Sequence, residues 1–213
     1  MAALKTRLRL YLVTDAFLCT TPDLVTTVRL AVANGVTMVQ LREKTATTAQ
    51  RVQMALALKE ILIGTGVPLV VNDDVAAAVA ADVDGAHIGQ GDISPAQARG
   101  LLEPGKILGL SCETAQAVQA ADPALVDYLG LGPVFGTATK ADHAQPIGLD
   151  GLAQLVALSP LPNVAIGGLK SIHVSDVRKS GADGMAVVSA ICGQADPAAS
   201  ARAFSALKAE ETF

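Results

Sequence analysis

The sequence has no tryptophan, only two tyrosines and four phenylalanines among 213 residues, so aromatic side chains make up 3% of it. A platform that stacks nucleic-acid bases on rings is therefore not expected. The interior falls to Ala, Val, Leu and Ile, as in a sheet closely wrapped by helices. A positive charge excess is also missing. With 16 basic and 20 acidic side chains the formal net charge is −4, so nucleic acid is disfavoured as a partner and any anionic ligand must be gripped by a few local groups. Cysteine is scarce too. Cys19, Cys112 and Cys192 are far apart, odd in number and without CxxC spacing, which argues against a disulfide framework or a structural zinc site and for a reducing cytoplasm. No apolar run approaches the roughly 18 residues of a membrane span, and the opening MAALKTRLRLYLVTD lacks a signal peptide's apolar core and cleavage site. A soluble, unprocessed protein without a membrane partner is expected. No linker or low-complexity stretch divides the chain, and 51% hydrophobic residues suffice for one core, so residues 1–213 are read as a single domain.

Short β-branched runs alternate with longer Ala- and Leu-rich segments throughout. Strands are expected at Leu8–Thr14, Met38–Arg42, Pro68–Asn72, Ala86–Ile88, Ile107–Ser111, Tyr128–Leu131, Asn163–Ile166 and Gly184–Val188. Helices are expected at Leu24–Asn34, Thr48–Ile63, Val75–Ala81, Pro95–Leu102, Ala115–Ala121, Leu149–Leu158, Ile172–Ser180 and Pro197–Leu207. Thr47 with Gln50, and Ser94 with Gln97 behind Pro95, have capping-box spacing, while Gly35, Gly64 and Gly181 mark helix ends. Eight strand–helix pairs, strand first, match an α/β fold of the (β/α)₈ TIM-barrel type. The competitor, an open doubly wound sheet, normally needs fewer strands, and no GxGxxG follows the first one.

In such a barrel the loops after the strands build the active site, and here they are unusually polar. Gln40, Arg42 and Lys44 alternate, so on a strand they would project to one side, an arrangement suited to a diphosphate; solvated charges paired with Glu43 are the plainer alternative. Asn72, Asp73 and Asp74 end the third strand. Asp74 is placed to cap the next helix, whereas Asp73 and Asp92, on neighbouring strand ends, would suit Mg²⁺. The loop carrying Thr137, Thr139 and Lys140 could act as a lid over substrate. Gly167–Gly168 after the seventh strand and Val188–Ser189 after the eighth fall where barrels commonly bind phosphate. His87 is read as a packed residue, and no nucleophile stands out, Cys112 included.

Together these segments resemble the thiamine phosphate synthase family. The resemblance rests on Tyr11-Leu-Val-Thr-Asp15, Gln40-Leu-Arg-Glu-Lys44, Asn72-Asp-Asp74, Asp84-Gly-Ala-His-Ile-Gly-Gln-Gly-Asp92, Gly109-Leu-Ser111, Asp127-Tyr-Leu-Gly-Leu-Gly-Pro-Val-Phe135, Thr137-Ala-Thr-Lys140, Ala165-Ile-Gly-Gly168 and Ala186-Val-Val-Ser-Ala-Ile191, in order along nearly the whole chain. It implies a Mg²⁺-assisted transferase that joins a pyrimidine diphosphate to a thiazole phosphate. It assigns Gln40, Arg42, Lys44 and Asn72 to the pyrimidine diphosphate, Asp73 and Asp92 to Mg²⁺, and Ser111 to the pyrimidine. Thr137, Thr139, Gly168, Val188 and Ser189 fall to the thiazole phosphate, and Lys140 to the diphosphate. Gly136 stands where the family commonly has Pro, His173 where Asn is frequent, and Gly91 where an acidic residue is common. The related thiazole tautomerase would not need Arg42, Lys44, Asp73 and Asp92, and a phosphate-ligand sensor on the same scaffold would bind without turnover.

Overall fold

A computed structural model describes residues 2–137 and 145–204 of the chain. Eight parallel strands close into a barrel in sequence order: β1 (Leu10–Val13), β2 (Met38–Leu41), β3 (Leu69–Asn72), β4 (Gly85–Ile88), β5 (Ile107–Cys112), β6 (Tyr128–Leu131), β7 (Asn163–Ile166) and β8 (Met185–Val187). Closure is direct, since β1 pairs with β8 through Tyr11↔Ala186 as well as with β2 through Tyr11↔Met38. The helices are α1 (Ala2–Leu8), α2 (Leu24–Ala33), α3 (Thr48–Leu62), α4 (Val75–Ala80), α5 (Pro95–Leu101), α6 (Ala115–Ala120), α7 (Gly148–Leu158), α8 (Val174–Lys179) and α9 (Pro197–Arg202). The expected TIM barrel is thus observed.

Most strands are buried along their whole length, because a barrel strand has two interiors. Leu10 and Leu12 belong to the large apolar layer between barrel and helices, whereas Tyr11 and Val13 belong to a smaller cluster with Met38, Val70, Ile107, Tyr128, Val164 and Ala186 inside the barrel. Side chains alternate faces along a strand, so each strand stocks both clusters.

The helix signals act as anticipated. Thr47 and Gln50 form a capping box on α3, and Ser94 and Gln97 one on α5 with Pro95 in its first turn. The Asp74 carboxylate accepts from Ala77 N (2.9 Å) at the start of α4. Gly35, Gly64 and Gly181 adopt φ of 123°, 78° and 84°.

Two expectations need correction. The first strand begins at Leu10, not Leu8, because residues 2–8 form a helix whose Leu8 is fully buried in the inner cluster with Leu4 beside it. An i, i+4 Leu pair on one helix face thereby covers the amino end of the barrel. The segment expected as one helix over Ile172–Ser180 is a 3₁₀ turn, Ser171–His173, followed by α8. Of the helix expected over Pro197–Leu207, α9 covers Pro197–Arg202, and the stretch beyond residue 204 lies outside the described residues.

Candidate active site

The carboxyl ends of the strands open into a cavity lined by residues of β1, β2, β4, β5, β6, β7 and β8 and the loops after them. Gln40 faces inward from β2 and is 4% exposed. Arg42 follows the strand's last residue and is tied to Thr14, which is itself bonded to β2. Its N–H donates to Thr14 Oγ1 (3.0 Å), and Thr14 N–H donates to the Gln40 carbonyl (2.9 Å). The guanidinium lies 4.0 Å from Asp15, which the sequence reading left without a role, and lines the cavity. Lys44 is different. Because β2 stops at Leu41, the alternation that was to carry Lys44 to the side of Gln40 has ended, and Lys44 is exposed in a bend outside the cavity lining.

On the next two strand ends, Asn72 ends β3, and Asp73 N–H donates to the His87 carbonyl of β4 (2.8 Å). Asp73 adopts φ 62°, a left-handed conformation that costs a non-glycine residue energy. Its carboxyl is pushed up to about 6 by desolvation, then by the hydrogen-bonded and like-charged Asp92 carboxylate beside it, with Arg42 and Arg51 pulling the other way. The expected juxtaposition of Asp73 and Asp92 therefore exists. Asp92 also has a local task that the sequence reading did not give it, since its Oδ2 accepts from Gly89 N (2.7 Å). Among the described residues there is no cluster of three or more His, Cys, Asp and Glu side chains. Two adjacent carboxylates, repelling each other and supplying hard oxygen donors, fit Mg²⁺, which typically takes one or two carboxylates and completes its shell with water and phosphate oxygens.

Ser111 lies on β5, and Gln90 Nε2 donates to its carbonyl (2.7 Å). Its hydroxyl is 2.9 Å from His87 Nε2. From there a buried chain crosses the barrel: His87 Nδ1 to Tyr128 OH (2.8 Å), Tyr128 OH to Tyr11 OH (2.7 Å), and Tyr11 OH to Gln40 Nε2 (2.7 Å). His87 is a buried residue, as expected, but it is tied to two candidate ligand-binding side chains at once. Tyr11 and Tyr128 were not anticipated, nor was Glu113, which lines the cavity. The available signal was parity, since Tyr11 is inward-facing by its spacing from Val13, but nothing local places it against a residue 117 positions away.

At the far side of the mouth, β7 is followed by Gly167 and Gly168, with φ of 100° and 64°. A Cβ on Gly168 would stand 2.6 Å from the Gly136 carbonyl oxygen, and one on Gly167 2.5 Å from Pro133 Cβ. Only glycine lets these backbones pack together. Gly168, Val188 and Ser189 all line the cavity, as does Thr137. Neither the Gly168 nor the Ser189 N–H donates to another described residue, which leaves both for an anion. Thr139 and Lys140 lie outside the described residues. His173 stacks on Phe135 with ring centroids 4.6 Å apart and accepts from Lys170 N at 3.1 Å, outside the cavity lining. The Cys112 thiol is buried and pushed up to about 12 by desolvation, which favours the protonated thiol near neutral pH.

Comparison with known proteins gives concordant results. A model for the family described as thiamine monophosphate synthase matches residues 10–191. The chain is 51% identical to the thiamine-phosphate synthase of Psychrobacter over 193 residues, covering 89% of this chain and 90% of that one. It is 51% identical to that of Xanthobacter autotrophicus over 199 residues, covering 93% and 94%. Among solved structures, a thiamine phosphate pyrophosphorylase from Pyrococcus furiosus superimposes with a TM-score of 0.87 at 33% identity, covering 96% of each chain.

Proposed function

This chain belongs to the thiamine monophosphate synthase family of transferases, and from that premise we propose that it condenses 4-amino-2-methyl-5-(diphosphooxymethyl)pyrimidine with a thiazole phosphate, giving thiamine phosphate and diphosphate. The observation that carries this reading is the division of one cavity mouth into two unlike anion sites. Arg42 lines the mouth just after β2, with Asp73 and Asp92 beside it after β3 and β4 but outside the cavity lining, and the Gly168 and Ser189 amides line it across the mouth, after β7 and β8.

In this reading Gln40, Arg42, Lys44 and Asn72 bind the pyrimidine diphosphate and Ser111 holds its ring, with Lys44 reaching in from the bend after β2. Asp73 and Asp92 hold Mg²⁺, which when bound offsets the charge of the leaving diphosphate. Thr137, Thr139, Gly168, Val188 and Ser189 take the thiazole phosphate, and Lys140 binds the diphosphate. The substitution is dissociative. The methylene C–O bond breaks with its electron pair going to the diphosphate, and the thiazole nitrogen lone pair then forms the C–N bond to the pyrimidine methylene cation. No protein nucleophile and no net proton transfer are required, in keeping with a site that offers cations and oriented donors and a Cys112 thiol held protonated. The reaction is assigned to the cytoplasm, where the three free thiols would stay reduced.

Diphosphate release by the purified protein with Mg²⁺ and both substrates is the test. Turnover is expected, and Asp73→Ala and Lys140→Ala are each expected to slow it on the order of 10²-fold or more. Binding of both substrates without diphosphate release would make the protein a sensor and overturn the proposal.

A further inference from the structure

The hydrogen-bond chain inside the barrel has a direction. The Gln40 amide nitrogen only donates, so the Tyr11 oxygen accepts from it (2.7 Å); were Tyr128 to donate to Tyr11 as well, the buried Tyr11 hydrogen would meet no acceptor among the described residues, so the Tyr11 proton points on to Tyr128 (2.7 Å). Burial raises both phenols above their ordinary value, so both keep their protons. Tyr128, accepting from Tyr11, spends its own proton on His87 Nδ1 (2.8 Å). With Nδ1 accepting, the ring proton belongs on Nε2, where it donates to Ser111 Oγ (2.9 Å). The Ser111 hydroxyl therefore receives its hydrogen bond from behind and has its own hydrogen left to give. Nothing else among the described residues bonds that hydroxyl, and Ser111 lines the cavity.

The barrel is cut to fit this chain. Strand pairing sets His87, Gly109 and Tyr128 side by side on β4, β5 and β6. A Cβ on the middle residue would lie 2.4 Å from His87 Nδ1 and 2.2 Å from the Tyr128 ring. Glycine at 109 is what lets the two outer side chains meet across it. One step along, Gly130 pairs with Ser111, and a Cβ there would press on His87 Cε1 at 3.3 Å.

We propose that Gln40, Tyr11, Tyr128 and His87 form a polarised relay that fixes the His87 tautomer and thereby presents the Ser111 hydroxyl as a hydrogen-bond donor to a ring nitrogen of the heteroaromatic substrate. The proposal rests on the functional reading above for the identity of that ring. His87 and the two tyrosines are positioning residues, and neither tyrosine lines the cavity. The relay makes the site selective for a ring with an acceptor nitrogen facing Ser111, because a C–H in that place would leave the hydroxyl unpaired in a desolvated pocket.

The test combines ¹⁵N NMR of the imidazole in the substrate-free protein with steady-state kinetics. His87 is expected as the Nε2–H tautomer, and Tyr128→Phe should shift it toward a mixture. The same variant should raise KM for the pyrimidine diphosphate about tenfold while leaving KM for the thiazole phosphate unchanged. His87→Gln, which keeps a donor near the Nε2 position, should retain more activity than His87→Asn, which can face Tyr128 but not reach Ser111. Should Tyr128→Phe fail to fold, Tyr11→Phe, one bond further from the cavity, should show the same KM split. A protonated Nδ1 in the native protein, or equal changes in both KM values, would overturn the relay. The tautomer is read without substrate, so the expected tautomer in a protein that releases no diphosphate would sink the functional reading and leave the relay standing.

Discussion

At Gly168 a single hydrogen atom decides the shape of the phosphate end. With φ at 64°, the position is strained for any other residue, and a Cβ would press on the Gly136 carbonyl at 2.6 Å and on Phe135 Cβ at 2.8 Å. Gly168→Ala is therefore expected to displace the amide from the cavity rim and raise KM for the thiazole phosphate by about tenfold, with a smaller change for the pyrimidine diphosphate. Steady-state kinetics with each substrate varied in turn checks this. Equal rises would mean that the glycine pair does not serve one substrate. Residue chemistry is also where the sequence was most legible. Asp73 and Asp92 could be paired from their strand-end positions, and Ser111 and Ser189 placed at the mouth, because in a barrel the strand end itself is the coordinate of the site. Lys44 shows the limit. Its alternation with Gln40 and Arg42 held only as far as β2 continued, and a strand's last residue depends on where its neighbours stop pairing.

Helix boundaries followed from local chemistry because a cap is a contact within four residues. In α5 the Ser94 hydroxyl accepts from Gln97 N (3.3 Å) while Gln97 Oε1 accepts from Ser94 N (3.0 Å). Ser94→Ala is expected to cost about 1 kcal/mol, seen as a lower denaturant midpoint, and Ser94→Thr to keep most of it. Indistinguishable midpoints for Ser94→Ala and the native protein would show that α5 is held by packing alone. The element that escaped sequence reading, α1, has no capping signature and only two apolar contacts, Leu4 and Leu8, to mark it. Its helicity rests on the opening of the barrel that it covers, which no short window contains.

At the scale of the whole molecule, the two clusters inside and outside the strands must both be filled for the barrel to close. Leu8 is wholly buried where α1 meets the inner cluster. Leu8→Ala is expected to cost about 2–5 kcal/mol and to lower the melting temperature, while the catalytic end, a strand's length away, keeps its ligands. Calorimetry together with diphosphate release checks both halves, and a variant of native stability would mean that α1 is ornamental. Charge was a poor guide at this scale. A net −4 says little about a cavity lined by one guanidinium, Arg42, one carboxylate, Glu113, and the backbone amides of Gly168 and Ser189.

The sequence by itself determined the class of fold, the ends of most elements and the residues offered at each strand end, because each of these is written in spacing or local chemistry. It also held the scarcity of rings, without saying where the two tyrosines go. Only the closed barrel decided that Tyr11 and Tyr128, 117 positions apart, touch at its centre, and that Gly109 opens the gap through which His87 joins them. Contacts across a barrel depend on strand register and closure, which are fixed jointly by all eight strands and by no segment alone.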